Sequence, residues 1–140
     1  MSFKSNRIVV PVDFSGESKG ALEAASTFGG EVHCVHVLFP LSKITPGVSV
    51  DDVTEGDRRT TTRGKLEELT KPFGVTNLEV LVGTPGLEIA EYAKNVRADL
   101  IVIPSHGYHG VKRLVLGSVA ERVIRHAECS VLVLRRSDAE

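Results

Sequence analysis

Short runs of β-branched and aliphatic residues recur along the chain, each separated from the next by a stretch of helical periodicity, and this alternation restricts the fold more than any other property. The order it predicts is β-α-β-α-β-α-β-α-β. Strands that alternate with helices pair in parallel, because each crossover returns the chain to the same end of the sheet, and the helices then cover both faces. The first strand is Arg7 to Val10. The first helix follows Ser15, places Leu22, Ala25 and Phe28 on one face, and stops at Gly29-Gly30. A second strand runs from Glu31 to Leu38. Prolines and a glycine break up Phe39 to Val50, which reads either as a mobile lid or as a plain surface connection. The polar stretch from Asp51 to Phe73 reads as a long helix with much exposed surface. After a third strand, Leu78 to Val82, Thr84-Pro85 starts a helix: the threonine caps it, and proline at the first helical position gives up no needed hydrogen bond. That helix is expected to bury Leu87, Ile89, Ala90 and Ala93. The fourth strand, Leu100 to Ile103, is apolar at every position, as a central strand covered on both sides must be, and the fifth is Val131 to Leu134.

A chain of 140 residues, 41% hydrophobic and 25% charged, with no linker or internal repeat, fits one domain spanning 1–140 around one core. Right-handed crossovers leave few topologies, and the order 3-2-1-4-5 is expected because it makes the first and fourth strands neighbours whose connections diverge. The expected fold class is therefore α/β, a doubly wound five-stranded parallel sheet with helices on both faces. In such sheets a ligand sits beyond the carboxyl ends of the strands at the switch point. The loop Pro11-Val12-Asp13-Phe14-Ser15 should then face the loop Ser105 to Gly107, with Gly117 and Ser118 forming the far wall.

Several function classes are excluded on composition and spacing. Net charge is −1, and beyond the adjacent Lys112 and Arg113 there is no long basic run, so a nucleic-acid partner is not expected. The apolar run Ile8 to Val10 ends at Pro11 and Asp13, far short of a membrane span or signal core, which predicts a cytoplasmic protein with no membrane partner. Cys34 and Cys129 have neither a CxxC nor a metal-ligand spacing around them and read as free thiols. No metal site is indicated. The chain has no GKS or GKT loop, no nucleophile and base at catalytic spacing and no carboxylate dyad, so a dedicated enzyme is not supported. A phosphoacceptor receiver would need paired acids after the first strand and an Asp ending the third, where this chain has a lone Asp13 and Gly83. A flavodoxin-type site would need flanking aromatics, which make up 5% of the residues, with no tryptophan.

The strongest hint of chemistry lies between Asp99 and Arg135. Here Asp-Leu-Ile-Val-Ile-Pro-Ser-His-Gly is followed, after nine intervening residues, by Gly117-Ser118 and a short helix. Backbone amides beside a helix N-terminus suit a phosphate. Taken with Ile-Val-Val-Pro-Val-Asp-Phe-Ser at the start, Val35-His36-Val37, Val82-Gly83-Thr84-Pro85 and the closing Val131-Leu132-Val133-Leu134, the chain resembles the universal stress protein family over essentially its whole length. The resemblance implies an adenine-nucleotide α-hydrolase-like fold and a homodimer joined through Val131 to Leu134. The family's ATP-binding branch carries Gly, two residues, Gly, nine residues, Gly, then Ser or Thr, a pattern that Gly107, Gly117 and Ser118 fit. Pro104 stands where the first glycine belongs, and Gly110 cannot replace it because the nine-residue spacing counts from Gly107. Proline has no amide hydrogen, a fixed φ and added bulk, so weakened or reshaped nucleotide binding is expected. By resemblance, Asp13 and the Val37 backbone contact the base, while Gly107, Gly117, Ser118 and the Val119 amide hold phosphates. Pro11, Val12, Pro104, Ser105, His106 and Gly110 belong to the same loops, and bound ATP would bring magnesium on its phosphates. Two functions follow. One is an ATP-binding regulatory switch whose nucleotide state alters Phe39 to Val50; the other is a nucleotide-independent dimeric stress or scaffold protein.

Each of these residues also has a plain structural use. Ser118 with Glu121 forms a capping box, which stabilises a helix by about 1 kcal/mol without any ligand. Asp13 or Ser15 can cap the first helix. Gly107 and Gly117 can serve only as turn residues. His106 and His109, near Lys112 and Arg113, either add positive charge around a polyphosphate at mildly acid pH or form a solvated surface. His36, inside a strand, reads as a packed or hydrogen-bonded core group.

Overall fold

The computed structural model describes residues 6–40, 52–105 and 116–135. Within them the elements are β1 (Arg7–Pro11), α1 (Gly16–Ser26), β2 (Glu31–Leu38), α2 (Asp52–Thr70) closed by a 3-10 turn (Lys71–Phe73), β3 (Asn77–Val82), α3 (Pro85–Asn95), β4 (Leu100–Pro104), α4 (Ser118–His126) and β5 (Ser130–Leu134). The strands form one parallel sheet in the order β3-β2-β1-β4-β5, as expected. Differences from the expected strand limits are single residues: β1 and β4 run on through Pro11 and Pro104, and β3 and β5 start at Asn77 and Ser130. A proline at a strand's last position stays in the ladder when its nitrogen faces away from a paired neighbour.

Alternation along each strand sorts the core onto two faces. Ile8 and Val10 of β1 join Leu100 and Val102 of β4 on one face, under Ala21, Leu22 and Ala25 of α1 and Leu66 of α2. Val9, Ile101 and Ile103 point the other way, against Ile89 and Ala93 of α3 and Ala120 and Val123 of α4. Every residue of β4 is buried, which explains its unbroken apolar run. Helix α2 is polar along most of its length, yet Leu66 is fully buried beneath it and Thr70 returns its hydroxyl to the Leu66 carbonyl at 2.7 Å. From the same helix Arg59 and Arg63 donate to the carbonyls of Val80 and Leu78 on the edge strand β3, at 3.0 and 3.2 Å.

Three local expectations do not hold. Phe28 is 40% exposed, because α1 ends at Ser26 and leaves the ring beyond the helical stripe. Leu87 is 44% exposed rather than buried. Gly86 takes the inward place instead, packed so closely that an added Cβ would stand 2.5 Å from Cβ of Arg122 on α4. Thr84 occupies the N-cap of α3 with Pro85 at the first helical position, but its side chain makes no capping bond.

Candidate functional site

A crevice opens where β1 and β4 part. Pairing of β1 with β2 extends to Pro11 opposite Val35, and β4 with β5 to Pro104 opposite Leu134, whereas β1 and β4 stay in register only as far as Val9 opposite Ile101. The carboxyl ends of the two central strands therefore diverge, which is the switch point of a doubly wound sheet. Ser105 donates its amide to the Leu134 carbonyl at 2.8 Å. Because backbone groups alternate sides along a strand, the nitrogen of Pro104 turns toward the crevice, where it has no hydrogen to offer.

On the β1 side, the turn after the strand is tied down at each residue. The Val12 amide donates to Val35 O at 2.8 Å, and His36 Nδ1 donates to Val12 O at 2.6 Å. A carbonyl only accepts, so this bond fixes which ring nitrogen of His36 carries hydrogen. Phe14 adopts a φ of 67°, a left-handed conformation that strains a bulky residue by about 1–3 kcal/mol. Its ring is held against His36, with centroids 4.8 Å apart, and the Lys65 ammonium lies 5.9 Å from its centre. Asp13 is half-buried between these anchors. Its Oδ1 accepts from the Ser15 amide at 3.1 Å and from the Ser18 hydroxyl at 2.6 Å. Ser15 is the N-cap of α1, as expected, and accepts from the Ser18 amide at 3.3 Å.

On the β4 side, the carbonyl of Ser105 accepts from the Gly117 amide at 2.7 Å and ties the start of α4 to the strand end. The capping box expected of Ser118 and Glu121 does not form. Gly117, not Ser118, is the N-cap, and Ser118 is already the first helical residue. A side chain in helical backbone points away from the amides it would cap. Glu121 pairs instead with Arg125 one turn on, at 2.8 Å. With glycine at the N-cap, the capping residue has no side chain to offer the amides that open α4.

The residues singled out in the sequence thus fall as follows. Pro11, Val12, Pro104 and Ser105 are buried at adjoining strand ends, Val37 is half-buried near the end of β2, Gly117 opens α4, and Ser118 and Val119 are exposed on its first turn. His106, His109, Gly107 and Gly110 lie outside the described residues, as does the connection beyond Pro40 as far as Asp51. Ser18 was not anticipated. The signal was present as Asp-x-Ser-x-x-Ser, which puts a hydroxyl three residues past the cap where a capping box would carry Glu or Gln. Both cysteines are free, and burial pushes the Cys34 thiol up to about 12 and raises that of Cys129. Among the described residues no cluster of His, Cys, Asp or Glu could hold a metal ion, and no helix is long and apolar enough to cross a membrane.

Comparison with known proteins agrees with this geometry. The model of the universal stress protein family matches residues 4–135. The universal stress protein MJ0531 of Methanocaldococcus jannaschii is 35% identical, over 96% of this chain and 84% of that protein. The solved structure of MJ0577 from the same organism superposes with a TM-score of 0.77 at 27% identity, covering 95% of this chain and 97% of its own. A universal stress protein of Archaeoglobus fulgidus, solved in complex with dAMP, superposes with a TM-score of 0.61 at 26% identity over 96% of this chain and 100% of that one. A family match across nearly the full length, together with the sheet order and the crevice between β1 and β4, shows that this chain belongs to the universal stress protein family.

Proposed function

We propose that this chain binds an adenine nucleotide in the crevice beyond β1 and β4, with ATP and its phosphate-borne magnesium as the working ligand, and acts as a nucleotide-dependent regulator of a stress response in the cytoplasm. The observation that carries this reading is the placing of the Asp13 carboxylate, its Oδ1 held by Ser15 and Ser18, at one strand end and of the first-turn amides of α4, whose N-cap is Gly117, at the adjoining strand end. A carboxylate is an acceptor suited to an exocyclic amino group, and the start of a helix is suited to a phosphate. Asp13 and the Val37 backbone hold the base, with Pro11 and Val12 as the wall beneath it. Ser105, Gly117, Ser118 and the Val119 amide serve the phosphates, joined by His106, Gly107 and Gly110. The relative solved with dAMP supports a nucleotide of this class.

Pro104 favours the second reading, a dimeric stress protein that works without nucleotide, because it removes a donor on the ligand side of β4. Calorimetric titration with ATP and mass analysis of small molecules released from freshly purified protein decide between them. On the nucleotide reading the protein retains adenine nucleotide, Asp13→Ala weakens ATP binding by about tenfold or more, and Pro104→Gly strengthens it. Protein that is free of nucleotide and gives no heat with millimolar ATP would overturn the proposal. Unchanged affinity in Pro104→Gly would show that the proline is not what limits binding.

A further inference from the structure

Ser18 is 1% exposed, on the first turn of α1, and everything its hydroxyl does is directed at Asp13 or the cap beside it. The Asp13 amide donates to Ser18 Oγ at 2.9 Å. An amide nitrogen can only donate, so the Ser18 proton goes elsewhere, and the short contact of 2.6 Å places it on Asp13 Oδ1. The hydroxyl thus receives from the backbone of Asp13 and gives to its side chain, closing a small ring around one residue. A second donor, the Ser15 amide, reaches the same oxygen at 3.1 Å. Two donors on one carboxylate oxygen fix both the side-chain torsion and the plane of the group, and a bond to an ionised acceptor is stronger than a neutral one. A buried serine in a helix's first turn usually satisfies its own helix; this one gives its hydroxyl to Asp13, two residues before the cap.

We propose that Ser18 is a positioning residue that sets the base selectivity of the crevice by locking the Asp13 carboxylate, an inference that rests on the adenine-nucleotide reading above. Adenine presents an amino donor at C6, which a fixed acceptor can meet. Guanine presents a carbonyl at that place, so a locked carboxylate repels it. A carboxylate that can swing has another option with guanine, whose ring N–H and C2 amino group together form a bidentate donor pair. Selectivity for adenine therefore depends on the orientation of the group as well as on its identity, and Ser18 supplies that orientation. His36 assists from β2 by holding the Val12 carbonyl at 2.6 Å, so the backbone just before Asp13 does not move either.

The test is calorimetric titration of the full chain with ATP and with GTP, for the parent, Ser18→Ala, Asp13→Ala and the double variant. Removing the hydroxyl should weaken ATP about tenfold and GTP little or not at all, so that the ATP-to-GTP preference narrows. In the Asp13→Ala background the same change should do nothing further, since its effect passes through that carboxylate. A loss of ATP affinity equal in both backgrounds, or an unchanged ATP-to-GTP ratio in Ser18→Ala, overturns the assignment while leaving the nucleotide reading standing. A parent protein that binds neither nucleotide overturns both. If Ser18→Ala does not fold, Ser18→Thr and Ser18→Val make the comparison at matched shape, with selectivity expected in the first and lost in the second; equal selectivity in the two would refute the role.

Discussion

Glu31 lies at the end of the sheet away from the crevice, where the chain enters β2. Its carboxylate accepts from His33 Nε2 at 3.2 Å and from Arg7 Nε at 2.8 Å, and the other ring nitrogen of His33 meets the Tyr92 hydroxyl at 2.9 Å. The His33 bond first and the Arg7 bond second hold the Glu31 carboxyl below the usual range, because both favour its charged form. A carboxyl whose pKa is lower when folded adds stability above its unfolded value, about 4.3, and that stability is lost as pH falls through the lowered folded value. Glu31→Gln should therefore melt below the parent at pH 7, and the gap should narrow as the pH falls below about 4.3. A gap that stays constant across that range would show that the pair contributes nothing through titration. At this scale the sequence was a partial guide. Ser15 read correctly as the cap of the first helix, because that role depends on near neighbours in the chain. Ser118 read wrongly as a cap, since which residue ends the loop and which begins the helix was set by the tie between Gly117 and Ser105.

Helix α2 shows how an element of unpromising composition earns its place. Leu66 is fully buried beneath it, and Arg59 and Arg63 tie it to the carbonyls of β3. Those carbonyls belong to alternate residues, Leu78 and Val80, and so lie on the same side of an edge strand. An edge with unpaired backbone groups invites another strand, and charged side chains laid along it block that addition. Replacing both Arg59 and Arg63 by Ala should cost about 1 kcal/mol of stability per bond and produce species larger than the parent assembly in sedimentation at high concentration. A variant that melts lower but sediments like the parent would limit the arginines to a stabilising role. The periodicity of Asp51 to Phe73 announced a helix with much exposed surface, and that is what forms. What the arginines reach could not be read there, because their partners lie in a strand that follows later in the chain.

Across the molecule the two edges of the sheet differ: β3 is covered by α2, while β5 forms the opposite edge. Among the described residues no strand lies beyond β5, and a single open edge permits pairing of two copies about a twofold axis and no further growth, whereas two open edges would permit filaments. We expect a homodimer joined through Val131 to Leu134, and a charged residue in place of Val133 should give a folded monomer in sedimentation, with native circular dichroism as the control. A parent protein that is already monomeric would refute the seam. The alternation of strand and helix, the two-sided burial of β4 and the order of the strands were all legible beforehand, because apolar spacing encodes element type and burial locally, and handed crossovers then leave few ways to join the pieces. The point at which β1 and β4 separate, the lock that Ser18 places on Asp13, the outward turn of Leu87 and the glycine at the head of α4 came from the assembled fold. Each depends on contacts between residues brought together across the sheet or between helices, and neither periodicity nor spacing along a single chain carries that information.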